Sequence, residues 1–331
     1  MISRRALGGS TLLTLLAAGC SRGSGSSPES GPPVDPGRGD GFPVTLTHAF
    51  GTTTVEAAPQ RVVTIGFNEQ DFALALGVEP VGVREFLGYD APNRPWAPEA
   101  VRGKQIPTVG SNELELETIA ALEPDLILGI HSYIDRSTYD ELSKLAPTLA
   151  QTADWAAGAT PWDQQALQIG TALGRAEQAQ SVIDEVRAQF EQARTEHPEF
   201  ADKQAVFVFG ASGGVYHLGG DDYRSGWLTD LGMVVDPTGG EVSLEKLADL
   251  DRDVLVAEGL STEITESEVF THLKVVREGR YAYLGEFDQD FAAALGFNSP
   301  LSLPFLLEVA VPRLAAATDG DPDTVPQPYP G

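Results

Sequence analysis

Short apolar runs alternate with amphipathic segments along most of this chain. The β-branched or apolar runs 61–65, 81–83 and 125–128 predict buried strands, and the segments 69–76 and 114–121 predict helices between them. Strands that alternate with helices at this spacing indicate parallel sheets covered by helices on both faces. The pattern therefore predicts an α/β fold.

A long helical segment interrupts this alternation in the middle of the chain. Residues 162–198 have a helical pattern with a break at Gly174 and an end at Pro198. The part over 176–196 would span about 30 Å at 1.5 Å per residue, which is enough to join two lobes. The strand pattern begins again near Ala205. We therefore predict two Rossmann-like lobes joined by a single long helix, with a ligand cleft between the lobes.

A weak internal repeat supports two lobes of one plan. Residues 116–128 and 244–256 both read Leu-Glu-x-apolar-Ala-x-Leu-acidic-x-Asp and continue into an apolar strand. Ligands of open α/β sheets bind outside the carboxyl ends of the strands, so two facing lobes would form a cleft there.

The N-terminus reads as an export and anchoring signal. Arg4 and Arg5 precede an apolar run that ends in Leu-Ala-Ala-Gly-Cys at Cys20, the single cysteine of the chain. The run is shorter than the ~20 residues that span a bilayer and has signal-peptide proportions. It resembles the bacterial lipobox, so we expect an extracytoplasmic protein anchored to the cell membrane by lipidated Cys20. An ordinary cleaved signal is the alternative, and Sec and Tat export both stay open.

The predicted organisation has six segments. Ser, Gly, Pro and charged residues after Cys20 cannot bury enough apolar surface to order themselves, which predicts a tether. In order, the segments are a signal peptide (1–20), a flexible linker (21–43), an N-terminal α/β lobe (44–161), a bridging helical segment (162–198), a C-terminal α/β lobe (199–318) and a loose tail (319–331).

The charge of the chain excludes some classes of partner. The net charge is −26 and the sequence pI is near 4.4. A nucleic-acid-binding protein needs a basic face, and docking on anionic lipid through protein charge needs basic residues as well. We therefore expect no nucleic-acid partner, and membrane contact only through the lipid.

Four segments carry a family resemblance. Residues 58–64, 69–83, 114–127 and 299–304 resemble, in this order, the periplasmic binding proteins for iron siderophores and vitamin B12. The resemblance covers roughly 44–318. It implies a monomeric, non-enzymatic receptor with a shallow cleft and little hinge closure. Its ligand would be an Fe(III)-siderophore, with no direct metal ligands and no other cofactor. Its partners would be the permease subunits of an ABC importer and their cytoplasmic ATPase.

The resemblance also assigns a docking role to one glutamate of each lobe. Glu117 and Glu245 match the family positions that contact permease arginines, and they are equivalent in the internal repeat. Such charge pairs at an interface rim set orientation and association rate. The alternative is two ordinary exposed carboxylates.

The loops after the predicted strands supply the cleft candidates. A ferric siderophore is large, amphipathic and often anionic, so arginine and aromatic side chains suit it. Arg84 is the strongest single candidate. The alternative interpretation is that Arg84 is a surface residue whose side chain extends over the lobe. Further wall candidates are His131, Trp162 and Asn298. The predicted ligand-binding residues are Phe67, Asn68, Arg84, Trp96, Ser111, Tyr133, Trp155, Ser212, Tyr216, Tyr223, Arg224, Glu258 and Phe287.

Other functions stay open at this point. Haem or cobalamin could replace the siderophore, and the same fold could serve a sensor or adhesin. A direct metal-ion receptor would want convergent histidines, but the five histidines form no i,i+4 pair. The run Gly210-Ala211-Ser212-Gly213-Gly214 matches G-x-S-x-G, but a nucleophile elbow needs a helix directly after the serine. Residues 215–218 look extended instead, so we expect no enzyme.

Overall fold

The computed structural model describes residues 41–85 and 90–330. The predicted signal peptide, Cys20 and most of the predicted linker lie outside the described residues. Among the residues described, none of the helices combines the length and apolar character needed to cross a membrane.

Twelve strands are formed by the described residues. They are β1 (Val44–His48), β2 (Gly51–Val55), β3 (Val62–Thr64), β4 (Gly82–Val83), β5 (Leu126–Gly129), β6 (Thr148–Ala150), β7 (Gln204–Ala211), β8 (Gly214–Leu218), β9 (Val234–Val235), β10 (Gly240–Ser243), β11 (Val254–Glu258) and β12 (Tyr281–Tyr283).

The helices of the described residues are mostly short. The α-helices are α1 (Glu69–Ala75), α2 (Leu116–Ala121), α3 (Arg136–Leu142), α4 (Trp162–Ala172), α5 (Ala176–Glu196), α6 (Gly226–Asp230), α7 (Thr262–Thr265), α8 (Glu268–His272), α9 (Lys274–Arg277), α10 (Asp290–Gly296) and α11 (Ser302–Thr318). The 3₁₀ helices are Ala91–Asn93, Pro198–Phe200 and Leu244–Leu250.

Two sheets define the two lobes. Lobe one holds a parallel sheet in the order β4-β3-β5-β6, and the hairpin β1-β2 accompanies it. Lobe two holds a sheet in the order β10-β8-β7-β11-β12, in which β7, β11 and β12 are parallel and β9 pairs with β7. The central strands β3, β5 and β11 are buried throughout, as expected for strands covered on both faces.

The long helix α5 joins the two hydrophobic cores. Its buried stripe recurs at helical spacing because side chains three and four residues apart share a face. Ala179 and Ile183 pack in the core of lobe one, whereas Val186, Phe190 and Ala193 pack in the core of lobe two. One helix face is thus shared between both lobes. The predicted bridging role of this helix follows from that arrangement, and we call α5 the strut helix.

The internal repeat corresponds to a real structural equivalence. The Asp125 carboxylate accepts hydrogen bonds from the backbone N–H groups of Gln60 and Arg61, at 2.7 and 2.8 Å. The Asp253 carboxylate accepts one from the backbone N–H of Gln204 at 2.9 Å. Both aspartates therefore fix the start of the neighbouring strand in their own lobe.

One local prediction is wrong. The C-terminal tail is not loose around Tyr329: the backbone N–H of this residue donates to the carbonyl of Tyr283 at 3.2 Å, and its ring packs edge-on against Phe305. The Arg313 guanidinium also lies over the Tyr329 ring. An apolar ring among Pro residues gives the tail enough contact area to dock.

Candidate functional site

Two cavities lie where the lobes face each other. The larger cavity, of about 1020 Å³, extends from the lobe interface along the C-terminal half of the strut helix; we call it the strut cavity. Its aromatic walls are Tyr133, Trp155, Trp162 and Tyr223. The smaller cavity, of about 660 Å³, opens on lobe two and is called the lobe-two cavity; its walls include Phe209, Arg224, Glu258 and Phe287. Tyr223 lines both cavities.

Aromatic rings cluster at the strand ends of lobe one. The ring centroid of Phe67, directly after β3, lies 5.8 Å from that of Tyr133 and 6.1 Å from that of His131. The ring of His131 reaches across to Tyr223 of lobe two at 5.8 Å, edge to face. Burial lowers the pKa of His131 to about 4, so its imidazole is neutral at physiological pH. The two lobes therefore meet through aromatic contacts at this point.

Arg84 is held by backbone carbonyls at the ends of the lobe-one strands. Its Nε donates to the carbonyl of Ser111 at 2.7 Å, and Nη2 donates to that of Asn112 at 3.0 Å. Nη1 donates to the carbonyl of Ser132 at 3.1 Å and, at 3.4 Å, to that of Ile65. One side chain thus ties three loops together.

The Arg84 guanidinium also lies 4.7 Å from the centroid of the Phe67 ring. Its hydrogen bonds and this ring contact show a positioning role. The predicted role as ligand contact therefore stays a prediction, with most of its donors already engaged.

Glu69 is buried beneath the same loops. Its carboxylate accepts a hydrogen bond from the backbone N–H of His131 at 2.5 Å, and one from that of Asn68 at 3.4 Å. Burial raises its pKa to about 7, although the backbone N–H groups oppose that shift. A Cβ on Gly66 would lie within 1.9 Å of this carboxylate, so only glycine fits there. The carboxyl group braces the loop after β5 against the loop after β3.

Tyr133 adopts a backbone conformation that is uncommon for a non-glycine residue. Its φ is +55°, and 55% of its surface is exposed in the strut cavity. The hydroxyl lies 3.3 Å from Nε2 of His131. A Cβ on Gly158 would lie 2.0 Å from this hydroxyl, so the glycine makes room for it. Strain of this kind clusters at ligand sites, which fits a ring presented to the cleft.

Lobe two presents a second arginine over a phenylalanine. The Arg224 guanidinium lies 5.3 Å from the centroid of the Phe209 ring, and Tyr216 stacks on Phe209 at 5.1 Å. Arg224 also donates from Nε and Nη2 to both carboxylate oxygens of Asp222, at 2.9 and 2.7 Å. Phe287, 54% exposed, contacts Phe209 edge to face. This face combines stacked rings with an arginine already paired to a carboxylate.

Glu258, at the end of β11, is almost fully buried beside this face. Burial raises its pKa to about 8, and Arg224 opposes the shift. The side chain is therefore mostly protonated at neutral pH. It lines the lobe-two cavity as a neutral carboxylic acid that can donate a hydrogen bond.

Four buried polar atoms on the strut cavity have no hydrogen-bond partner among the described residues. They are Oδ1 of Asn68, Nδ1 of His131, Oε1 of Gln165 and Oδ1 of Asn298. These residues are at least nine-tenths buried, with exposures of 2%, 4%, 3% and 8%. Buried polar groups are normally paired, so these atoms are suited to groups of a bound molecule. Tyr223 frames them, with its hydroxyl donating to the carbonyl of Gly296 at 3.1 Å.

The structure brings together most of the predicted ligand-binding residues, but not all of them. Trp96 lines a separate groove with Phe305, because its indole N–H donates to Asp71 at 3.0 Å and its ring packs behind the cleft. Ser111 serves Arg84 through its carbonyl. Ser212 lies in the turn of the β7–β8 hairpin and lines neither cavity.

The position of Ser212 also accounts for the G-x-S-x-G run. The residues that follow form β8, antiparallel to β7, and not a helix. The motif is a hairpin sequence, and the residues do not build a nucleophile elbow. The predicted extended conformation of residues 215–218 is confirmed.

The two predicted docking glutamates occupy equivalent places. Glu117 is exposed in the first turn of α2, and Glu245 is exposed in the first turn of the 3₁₀ helix Leu244–Leu250. Both helices precede a central strand of their sheet. Each lobe therefore offers one solvent-facing carboxylate in the same local setting.

Charged residues of the strut helix were missed by sequence reasoning. Arg187, Glu191 and Arg194 line the strut cavity, together with Asp163 from the start of α4. In the sequence they look like the ordinary solvent-exposed face of an amphipathic helix. Their place at the cleft can be recognised only when the buried stripe of the strut helix is known to pack in both cores. The charged residues beside that stripe then face the gap between the lobes.

Comparisons with known proteins agree with this architecture. The ferric-anguibactin-binding protein FatB of Vibrio anguillarum is 27% identical over 207 residues, 61% of this chain and 61% of FatB, so the chain matches less than two thirds of that relative. The probable siderophore-binding lipoprotein YfiY of Bacillus subtilis is 27% identical over 267 residues, 71% of this chain and 78% of YfiY.

A solved structure extends the likeness to the whole fold. The crystal structure of a periplasmic solute binding protein from Mycobacterium smegmatis superposes with a TM-score of 0.75 at 33% identity, covering 85% of this chain and all of that one. The sequence profile of the periplasmic binding protein family, which consists of substrate-binding proteins and not enzymes, matches residues 71–286. With its two sheets, strut helix and interlobe cleft, the chain belongs to the periplasmic binding protein family.

Proposed function

We propose that this protein is the extracytoplasmic substrate-binding component of an ABC importer, acting as a monomer. It captures a ferric siderophore in the cleft between the lobes and delivers it to the membrane permease. The observation that carries the proposal is the strut cavity of about 1020 Å³, walled by aromatic side chains from both lobes.

The size and walls of this cavity suit a metal chelate of several hundred daltons. Small-molecule sites have volumes of roughly 300–1,000 Å³ and mostly apolar walls with a few placed polar groups. Tyr133, Trp155 and Phe287 are among the few large apolar side chains of the described residues left exposed, and all three line the cleft. Both curated relatives are named for ferric-siderophore or siderophore binding, which supports the same ligand class here.

Tryptophan fluorescence tests the ligand. Trp155 is 47% exposed in the strut cavity, so a bound ferric chelate should quench it. The full chain is titrated with ferric siderophores, haem and cobalamin. At least one ferric siderophore should quench with saturation, and Trp155→Phe should remove much of the amplitude.

Trp96→Phe is the matched control, because Trp96 lies in the separate groove behind the cleft. It should leave the ligand-dependent quenching unchanged. Quenching by haem or cobalamin alone would show that the protein binds that ligand and not a ferric siderophore. Quenching by none of the panel would contradict a receptor of this kind.

Glu117 and Glu245 are the proposed permease contacts. Their exposure, their shared place at a helix start and their repeat equivalence support this role. Glu117→Arg with Glu245→Arg should abolish import of the radiolabelled iron chelate and leave its affinity for the purified protein unchanged. Glu56→Arg, on an exposed residue between β2 and β3, makes a charge reversal elsewhere and should import normally. Import that survives the double reversal would contradict the docking role.

Cys20 is the proposed attachment point to the membrane. Its lipobox-like sequence and the lipoprotein designation of YfiY support lipidation. Metabolic labelling with palmitate should mark the wild-type protein and not Cys20→Ser, which should appear in the soluble fraction. Equal membrane association of both proteins would contradict the anchor.

A further inference from the structure

The cleft is rich in carboxylates and poor in cationic groups. Of the described residues, the strut cavity is lined by two arginines, Arg187 and Arg194, and no lysine. Its acidic lining residues are Asp163, Asp184, Glu191, Asp221, Asp222 and Asp230. The lobe-two cavity has Arg94 and Arg224, against Asp90, Asp288, Asp290 and the mostly protonated Glu258. A cleft lined by one sign of charge focuses its field and repels ligands of that sign.

Both arginines of the strut cavity are paired with carboxylates. Nη2 of Arg187 lies 2.6 Å from the Asp163 carboxylate, and Arg194 pairs with Glu191 one turn before it on the strut helix. Pairing consumes the positive charge that an anionic chelate would need. Asp184 and Asp221 add negative charge to the same walls.

The arginines of the lobe-two cavity are paired as well. Arg224 is bidentate to Asp222, a geometry that fixes both partners. Arg94 lies 2.9 Å from Asp290, across the interface between the lobes. An anionic ligand would have to displace these carboxylates before it gained either contact.

Arg84 is the remaining arginine at the strand ends of lobe one, and its donors serve the protein. Nε, Nη1 and Nη2 all donate to backbone carbonyls of the surrounding loops. Its guanidinium also packs on Phe67. Releasing it would break the loop geometry that presents Tyr133 and His131.

Three of the four unpaired buried atoms of the strut cavity are acceptors. Oδ1 of Asn68, Oε1 of Gln165 and Oδ1 of Asn298 are carbonyl oxygens, and the fourth atom, Nδ1 of the neutral His131, donates or accepts according to its tautomer. Its Nε2 lies at hydrogen-bond distance from the Tyr133 hydroxyl, and its Nδ1 has no partner among the described residues. Carbonyl oxygens accept from N–H or O–H groups and gain nothing from a carboxylate or phenolate oxygen. A ligand that satisfies these oxygens must bring donors.

We infer that this cleft selects a ferric chelate that is neutral or cationic overall and that carries N–H or O–H donors. This inference rests on the proposed function and names its substrate class. Three hydroxamates balance the charge of Fe(III), and a free ammonium makes such a chelate cationic. Three catecholates leave the chelate trianionic, and citrate complexes are anionic as well. The cleft therefore fits the trihydroxamate class, and its exposed rings suit a cationic group.

A charge series of ferric chelates tests the inference on the full chain. The probes are ferrichrome, which is neutral, ferrioxamine B, which is cationic, and ferric enterobactin and ferric citrate, which are anionic. Dissociation constants are measured by quenching of Trp155. The neutral and cationic hydroxamates should bind at least about 100-fold more tightly than either anionic chelate, a difference of roughly 2.7 kcal/mol.

A charge reversal in the cleft sharpens the result. Asp221→Lys places a cation on the strut cavity and should weaken ferrioxamine B relative to ferrichrome by about tenfold. Glu56→Lys makes the same change in net charge outside both cavities and should leave this ratio unchanged. The ratio cancels any general loss of folding.

The outcomes distinguish a failure of this inference from a failure of the proposed function. Tight binding of ferric enterobactin or ferric citrate, with weak binding of the hydroxamates, would overturn the inference and leave the siderophore receptor standing. An equal shift of the ratio in Asp221→Lys and Glu56→Lys would overturn the role of the cleft carboxylates. Binding of no ferric chelate at all would instead overturn the proposed function.

Discussion

The two lobes build their ligand faces from the same kinds of side chain and use them differently. Each face has an arginine over a phenylalanine and a buried glutamate nearby. In lobe one, Arg84 donates to backbone carbonyls, and Glu69 accepts from backbone N–H groups. In lobe two, Arg224 pairs with the side chain of Asp222 beside the cavity.

The two lobes differ in the hydrogen-bond partners of these charged side chains. Side chains that bond to backbone fix the path of the loops, whereas a pair of side chains at a cavity wall sets the charge that a ligand meets. Lobe one thus uses its charged groups to hold rings in place. Lobe two presents its charged groups, with Phe287, to the cleft.

The largest expected effect comes from the two buried glutamates. Their pKa values, about 7 for Glu69 and about 8 for Glu258, lie above the ordinary value of about 4.3. The folded state therefore binds more protons than the unfolded state above about pH 4.5, and stability falls as pH rises towards 8. The full loss should amount to roughly 4 kcal/mol for Glu69 and roughly 5 kcal/mol for Glu258 in urea unfolding curves, since one pKa unit is about 1.4 kcal/mol.

Replacing each glutamate in turn shows which lobe causes which part of this pH dependence. Glu69→Gln should roughly halve the slope below about pH 7, and Glu258→Gln should also remove the decline that continues from about pH 7 to 8. Glu117→Gln, on an exposed helix start, is the control and should leave the curve unchanged. A wild-type stability that stays level from about pH 5 to 9 would rule out the raised pKa values.

The two arginines should separate stability from binding. Arg84→Ala leaves several carbonyls of lobe one without their donor and should lower the free energy of unfolding by roughly 2 kcal/mol. Arg224→Ala removes a partly exposed pair and should lower it by less than about 1 kcal/mol. It also leaves the Asp222 carboxylate unpaired beside the cavity. Affinity for a cationic chelate should therefore rise by roughly tenfold.

Urea unfolding and fluorescence titration of the same two variants make the comparison. Equal losses of stability would show that both arginines play the same role. A large loss of stability for Arg224→Ala with none for Arg84→Ala would reverse the assignment of the lobes.

The smallest expected effect on stability comes from the two equivalent aspartates of the internal repeat. Asp125 accepts two backbone hydrogen bonds and Asp253 accepts one, and both side chains are exposed. Asp125→Ala should therefore cost about 2 kcal/mol of unfolding free energy and Asp253→Ala about 1 kcal/mol. Each variant is the control for the other, because solvent exposure and local sequence are matched. A larger loss for Asp253→Ala would show that the two positions are not equivalent in energy.

The sequence by itself determined the features that depend on local periodicity. The stripe of the strut helix repeats every three to four residues, so its buried face could be predicted without any neighbour. The repeat could be read because each aspartate acts on the strand beside it. Cys20 and the family-like segments are local patterns of the same kind. Aromatic residues such as Tyr133, Tyr223 and Phe287 could be proposed as cleft residues because they come after predicted strands.

The tertiary structure decided which groups each candidate residue contacts. Arg84 stays a predicted ligand contact, but its hydrogen-bond partners lie 19 to 48 residues away and are backbone carbonyls, which no side-chain pattern reveals. Trp96 turned away from the cleft because Asp71 and Phe305 hold it. Hydrogen bonding and burial depend on groups far apart in the chain, so only the packed molecule could show that the cleft is acidic and its arginines already paired.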